Sequence, residues 1–210
     1  MTNRPAPVFI FDLGGVLIDW NPRHLYRKLF DEDHEAMEAF LANVCTAEWN
    51  TQMDAGKSFA EGVAELVARF PEQAPLIQVF YTRWVEMISG PIEETVAILS
   101  ALRAAGHELH ALSNWSAETF PLVQPRFEFL DWFETRVISG EIEKVKPDAD
   151  IFHHLLESIG HAASDCLFID DSVANIETAE ALGFQVHHFR SPQQLQEHLD
   201  AMGLAAVSRL

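Results

Sequence analysis

The chain reads as an α/β protein: a Rossmann-like parallel sheet with helices on both faces and an inserted α-helical cap. Three observations carry this reading. From about residue 91 onward, short apolar runs alternate with helical patterns, the signature of a parallel sheet wrapped by crossover helices. A β-rich run, Val8-Phe9-Ile10-Phe11, stands apart near the start and is followed by Asp12, Gly14 and Gly15. Between these two regions lie residues 20–89, rich in Glu, Ala, Leu, Phe and Trp at helical spacing and nearly free of strand signal.

The elements follow in order. Within the insert, helices are expected over 22–30, 33–44, 59–70 and 75–88. Residues 91–105 form a helix with Pro91 in its first turn and Gly106 as its stop. A strand at 108–112, a helix at 116–123 and a strand at 135–138 come next. Residues 148–159 place Ile151, Phe152, Leu155, Leu156 and Ile159 on one helical face, with Gly160 after it. A buried strand at 166–169, a helix at 173–182 stopped by Gly183, a strand at 184–188 and a helix at 192–202 complete the chain. The domain division is therefore 1–19 with 90–210 as the core and 20–89 as the cap, with Ser89-Gly90-Pro91 as the return linker. Open parallel sheets bind ligands at the carboxyl ends of their strands, and an insert leaving just after the first strand hangs over that edge. The same block also reads as a bundle that only buttresses the fold.

Composition narrows the function. With 48% apolar residues in 210, a substantial core is expected. The net charge of −18 argues against nucleic acid or an anionic membrane as partner, since both are polyanions. A small anionic substrate remains compatible, because a local cation or helix N-terminus can reverse the field inside a cleft. The only cysteines, Cys45 and Cys166, lack metal-ligand spacing and read as small core residues of a protein in a reducing compartment. No apolar run approaches the ~18 residues needed to span a bilayer, and no signal-peptide pattern is present, so the expected location is the cytoplasm. Oligomeric state is left open.

Four features fall at strand ends or loops on one sheet edge: Asp12; Ser113-Asn114; Lys146-Pro147; and Asp170-Asp171. They supply a nucleophile, a hydroxyl donor, a cation and a pair of acids, the parts needed to hold a phosphoryl group and a divalent cation. Taken singly, each has a plainer reading: Asp12 and Ser113-Asn114 as caps, Lys146 as a solvated loop lysine. Two adjacent acids at the end of a buried strand repel each other unless a cation sits between them.

The order and spacing of these motifs resemble the haloacid dehalogenase-like hydrolase superfamily, over roughly residues 8 to 188. The Phe-Asp-Leu-Gly-Gly-Val-Leu opening is most similar to its small-capped subgroup, which includes the bacterial α-D-glucose-1-phosphate phosphatase. The resemblance implies a phosphatase acting on small phosphorylated metabolites, with sugar phosphates favoured. Asp12 would attack phosphorus to form an aspartyl-phosphate. Mg²⁺ would bridge Asp12 and a phosphoryl oxygen, with further ligands from the Gly14 carbonyl, Asp170 and Asp171. Lys146 would neutralise charge on Asp12 and the transferring group. Ser113 would donate its hydroxyl to a phosphoryl oxygen, with the Asn114 backbone N–H nearby. Lys144 lacks the following proline of the family pattern and reads as a bland neighbour.

Gly14 departs from the pattern. Most phosphatases of this superfamily carry there a second Asp that protonates the leaving oxygen and later activates water. Its loss costs on the order of 10²–10⁴ in rate. Three readings follow: substrates whose leaving group needs little protonation, which is favoured and implies a steep dependence on leaving-group pKa; a proton from the cap, with Asp19 and His24 as candidates; or a weak catalyst. Two alternatives to the phosphatase stand beside it. The 2-haloacid dehalogenases of the superfamily use the same Asp without a metal, but have an aromatic residue where Gly14 stands and lack the acid pair. The other is a non-catalytic phosphate-binding module. Specificity is expected from Trp20, Arg23, His24 and Trp49, which also read as helix packing and surface ion pairs. His153-His154 and His187-His188 fall on a helix face and a strand end and are not expected to be ligands, and Trp115 packs under the cap.

Overall fold

The computed structural model describes residues 7–204. In chain order its elements are β1 (Val8–Phe11), β2 (Ile18–Trp20), α1 (Arg23–Leu29), α2 (His34–Asn43), α3 (Ala47–Asp54), α4 (Phe59–Arg69), α5 (Ala74–Thr82), β3 (Ile88–Pro91), α6 (Glu93–Ala104), β4 (Leu109–Ser113), α7 (Phe120–Val123), β5 (Thr135–Ile138), α8 (Ser139–Ile142), α9 (Ala149–Ile159), β6 (Cys166–Asp170), α10 (Val173–Ala181), β7 (Gln185–His188) and α11 (Pro192–Ala201).

Five strands form one parallel sheet in the order β5-β4-β1-β6-β7. The chain builds outward from β1 to β5 on one side, then returns to build β6 and β7 on the other. β1 therefore lies at the point where the winding reverses, where such sheets open a crevice at their carboxyl ends. The two-residue alternation of β1 divides the core. Phe9 and Phe11 face one layer with Ile98, Leu99 and Leu102 of α6 and Leu195 and Leu199 of α11. Val8 and Ile10 face the other, with Ile151, Phe152 and Leu155 of α9 and Ala179 of α10. Both faces are apolar, as burial beneath crossover helices requires.

Helices α1 to α5 lie between β2 and β3, which pair antiparallel as a separate two-stranded ribbon. Their apolar side chains, among them Tyr26, Phe40, Trp49, Phe59 and Phe80, join the same core cluster as Phe9 and Phe11. The insert is thus packed onto one layer of the sheet domain.

Several expectations change. The segment 89–91 is no loose linker: it belongs to β3, hydrogen-bonded against β2. The helix expected over 75–88 stops at Thr82, because Arg83 leaves helical geometry and pairs with Glu86 through bonds of 2.6 and 2.8 Å. The helix expected from Ser116 begins only at Phe120, where Pro121, which has no N–H to give, takes a first-turn position. Three features had no sequence expectation, the β2–β3 ribbon, α3 and the short α8. Helix α3 is polar except for Trp49 and Met53 and is capped by the Thr46 hydroxyl, which accepts from the Trp49 N–H at 3.1 Å.

Candidate active site

Asp12 follows β1 immediately, and its backbone N–H still bonds to Ile169 of the neighbouring strand at 2.9 Å. One carboxylate oxygen is fully engaged. Oδ1 accepts from the Leu13 N–H at 2.7 Å and the Ser113 hydroxyl at 2.8 Å, and lies 3.0 Å from Lys146 Nζ. Oδ2 has no partner among the described residues, and the side chain keeps 11% of its surface exposed. Asp12 lines a cleft of about 360 Å³ together with Gly14, Gly15, Trp20, Ser113 and Asp171. Three donors thus fix the carboxylate by one oxygen and leave the other for a ligand.

Lys146 reaches the same place from the loop between α8 and α9. Its ammonium is buried and spends all three protons: on Asp12, on Asp170 Oδ2 at 2.6 Å and on the Leu112 carbonyl at 2.9 Å. Asn114 fixes this loop. Its amide nitrogen donates to the Lys146 carbonyl at 2.9 Å and its amide oxygen accepts from the Lys146 N–H at 2.8 Å. Asp170, fully buried, also accepts from the Ser172 N–H and the Asn175 amide. Asp171 is more exposed and lies on the cleft wall. Gly15 has φ +74°, and a Cβ there would fall 2.4 Å from Asp171 Oδ2, so only glycine lets the acid approach this turn.

The charges do not balance. Burial, joined by the charges of Asp170 and Asp171, pushes the Asp12 carboxyl above its usual range against the pull of Lys146. Asp171 is raised as well, by burial and by Asp170. Burial alone would lower the Lys146 pKa, but the carboxylates Asp12 and Asp170 outweigh it and raise it. One ammonium serves three carboxylates, an excess of two negative charges. Asp12, Asp170 and Asp171 each offer an oxygen within 4.8 Å of the others. An all-oxygen set with that excess fits a hard divalent cation.

The structure brings Asp12, Ser113, Lys146, Asp170 and Asp171 together at one sheet edge. The Ser113 hydroxyl points to Asp12, and the Asn114 side chain is committed to the Lys146 backbone. Trp20 lines the cleft. Arg23 lines it too, but its guanidinium is held by Glu38 at 2.5 and 2.6 Å. His24 and Asp19 bind each other at 3.0 Å, and neither lines the cleft over Asp12. Trp49 is buried in the insert, donating to the Gly62 carbonyl at 3.1 Å, and is no part of the site. Trp115 packs between Trp84 of the insert and Phe120.

Sequence reasoning missed Asp54, the last residue of α3. It lines a smaller cavity of about 60 Å³ beneath the insert, with Gly14, Trp20, Asn50, Trp84 and Trp115 among its walls. Burial pushes its carboxyl up to about 7, the Ser116 backbone N–H opposing and the Asp12 charge adding. The available signal was faint: Asn50 and Asp54, one helical turn apart, share a face of a polar helix.

A family model described as haloacid dehalogenase-like hydrolase matches residues 6–183. The chain is 26% identical over 203 residues to a phosphoglycolate phosphatase of Thiobacillus denitrificans, covering 89% of this chain and 85% of that one. It is 23% identical over 186 residues to the sesquiterpene phosphatase astK of Aspergillus oryzae, covering 83% and 85%. In fold it is similar to a haloacid dehalogenase family enzyme of Bacteroides thetaiotaomicron in complex with magnesium and inorganic phosphate, with a TM-score of 0.65, 22% identity and coverage of 89% and 95%.

Proposed function

Because the chain belongs to the haloacid dehalogenase-like hydrolases, we propose that it is a Mg²⁺-dependent phosphatase of small phosphorylated metabolites that works through an aspartyl-phosphate on Asp12. One observation carries this reading: Asp12 is locked through Oδ1 and presents Oδ2 to a cleft walled by a second acid. That is the posture of a nucleophile rather than of a cap.

In this reading Asp12, the Gly14 carbonyl, Asp170 and Asp171 would hold the cation. When bound, the ion offsets the repulsion between a carboxylate and a phosphoryl group. Lys146 opposes the effect of burial by favouring the ionised form of Asp12, orients it and offsets charge near phosphorus. The Ser113 hydroxyl, which here donates to Asp12 Oδ1, would turn to a phosphoryl oxygen and the Asn114 N–H would meet another, while the Asn114 side chain sets the Lys146 loop. Residues 20–89 form the cap over this cleft, and 1–19 with 90–210 the core that holds the phosphoryl group; positions 1–6 and 205–210 lie outside the described residues.

Sugar phosphates are favoured as substrates. Trp20 Nε1, Asn50 Oδ1 and Trp115 Nε1 are buried without hydrogen-bond partners, and all three residues wall the cavity next to Gly14. Unpaired buried polar atoms are costly, and hydroxyls of a leaving group would satisfy them. Two free, buried cysteines accord with a reducing, cytoplasmic setting. Among the described residues no helix is long and apolar enough to cross a membrane.

The test is a panel of phosphorylated metabolites with Mg²⁺, run on the parent and on Asp12→Asn. Phosphate release by the parent, abolished by EDTA and by the substitution, is the expected result. Chloride release from 2-haloacids that survives EDTA would instead establish the dehalogenase.

A further inference from the structure

Resting on that phosphatase reading, we propose that Asp54, carried by the insert, is the general acid and base of the reaction, standing in for the carboxylate that Gly14 lacks. The geometry begins at Gly14. A Cβ built there would meet nothing within 4 Å, so the position opens into empty space. That space is walled: Gly14, Trp20 and Asn114 line both the cleft over Asp12 and the small cavity beyond it, and Asp54 lines the cavity. The insert thus sets Asp54 on the wall of the space into which a side chain at 14 would project.

Asp54 is held firmly. Its backbone carbonyl accepts from the buried Ser139 hydroxyl at 2.6 Å, which ties the end of α3 to the start of α8. Its Oδ2 accepts from the Asn50 amide at 3.0 Å. Two residues further on, a Cβ at Gly56 would strike the Glu143 side chain, so the turn after α3 also lies against the core. Neither Asp19 nor His24 competes, since they bind each other away from the cleft. A carboxyl raised to about 7 holds its proton through part of the neutral range and can both give and take one.

The steps balance as follows. Asp12 Oδ2 bonds to phosphorus, the bond from phosphorus to the leaving oxygen breaks, and the Asp54 proton passes to that oxygen. Water then bonds to phosphorus, the bond to Asp12 breaks, and the water proton returns to Asp54. Leaving oxygen and attacking water occupy the same in-line position opposite Asp12, so one carboxyl serves both steps. A cavity of about 60 Å³ is large enough to admit water. The steep leaving-group dependence expected from Gly14 alone then belongs to variants of Asp54, while the parent accepts unactivated alkyl esters.

Rapid-quench kinetics with saturating Mg²⁺ test this, using p-nitrophenyl phosphate and a primary sugar phosphate. With the aryl ester, Asp54→Asn should release one equivalent of phenol in a burst and then stall, and intact mass after acid quench should show a phosphoryl group on the chain. With the sugar phosphate it should show no burst and a turnover reduced on the order of 10²–10⁴-fold. Asp54→Ala, which opens room for a small acid, should regain sugar-phosphate turnover on adding formate. Unchanged sugar-phosphate turnover in Asp54→Asn, or equal losses on both esters with neither burst nor formate rescue, overturns the proton role alone. A parent that hydrolyses neither ester overturns the phosphatase reading and this one with it.

Discussion

A single glycine methyl would test the cation site. Gly15 sits at φ +74°, a conformation that costs an L side chain about 1–2 kcal/mol, and its Cβ would meet Asp171 Oδ2. Gly15→Ala should therefore lose roughly that much stability and push Asp171 out of line. Calorimetric titration should show Mg²⁺ affinity reduced on the order of 10- to 100-fold, as when the support of a metal ligand is disturbed. Parent-like affinity would remove Asp171 from the cation site. Asp54 offers a pH signature at the same scale. Its folded pKa, raised by burial to about 7, lies above the unfolded value of 3.8, so the folded state holds this proton more tightly. The stability it confers is fully present below about pH 4 and is lost as pH rises through 7. Denaturation of metal-free parent and Asp54→Asn across that range should show the parent losing ground to the variant as pH increases. Parallel curves would mean an ordinary carboxyl pKa.

Ser139 shows how elements share this work. Its hydroxyl donates to the Asp54 carbonyl and accepts from the Trp115 N–H at 2.9 Å, joining α8, the loop after β4 and the insert. Ser139→Ala strands two buried groups, each worth about 1–3 kcal/mol. A thermal melt should fall accordingly, and turnover should fall more on alkyl than on aryl esters, because the Asp54 backbone loses its anchor. Equal loss on both would make Ser139 purely structural. The sequence revealed the sheet elements well for a reason visible in them. A strand such as Cys166–Asp170 is buried on both faces and must be apolar up to its terminal acid, while α9 carries an apolar stripe and a left-handed Gly160 cap. Asp12, Ser113, Asp170 and Asp171 of the candidate site were legible because strand ends place them. Asp54 was not, because its importance comes from a contact between residues 54 and 139 that no local pattern encodes. The β2–β3 ribbon was hidden likewise, its short strands being specified by pairing across some 70 intervening positions of the insert.

The whole molecule carries a net charge of −18, and the cleft does little to counter it. A reversal of the field by a local cation was the sequence expectation. In the structure Lys146 is spent on Asp12 and Asp170, and Arg23 on Glu38, while Asp12 and Asp171 face the opening. No cation of the cleft is left to attract a phosphate dianion. On the proposed reading the reversal would come with the divalent ion, which would make binding ordered: metal first, phosphate second. Isothermal titration with inorganic phosphate should give measurable binding in Mg²⁺ and none in EDTA, and phosphate should in turn tighten Mg²⁺ by the same factor. Even with the metal site saturated, the surrounding field repels the approaching anion. Since screening shortens the Debye length from ~30 Å at 0.01 M salt to ~8 Å at 0.15 M, kcat/KM should rise with ionic strength rather than fall. Phosphate binding of equal strength with and without the metal would show that the protein's own groups attract the anion, and would return the field reversal to a side chain or a helix end.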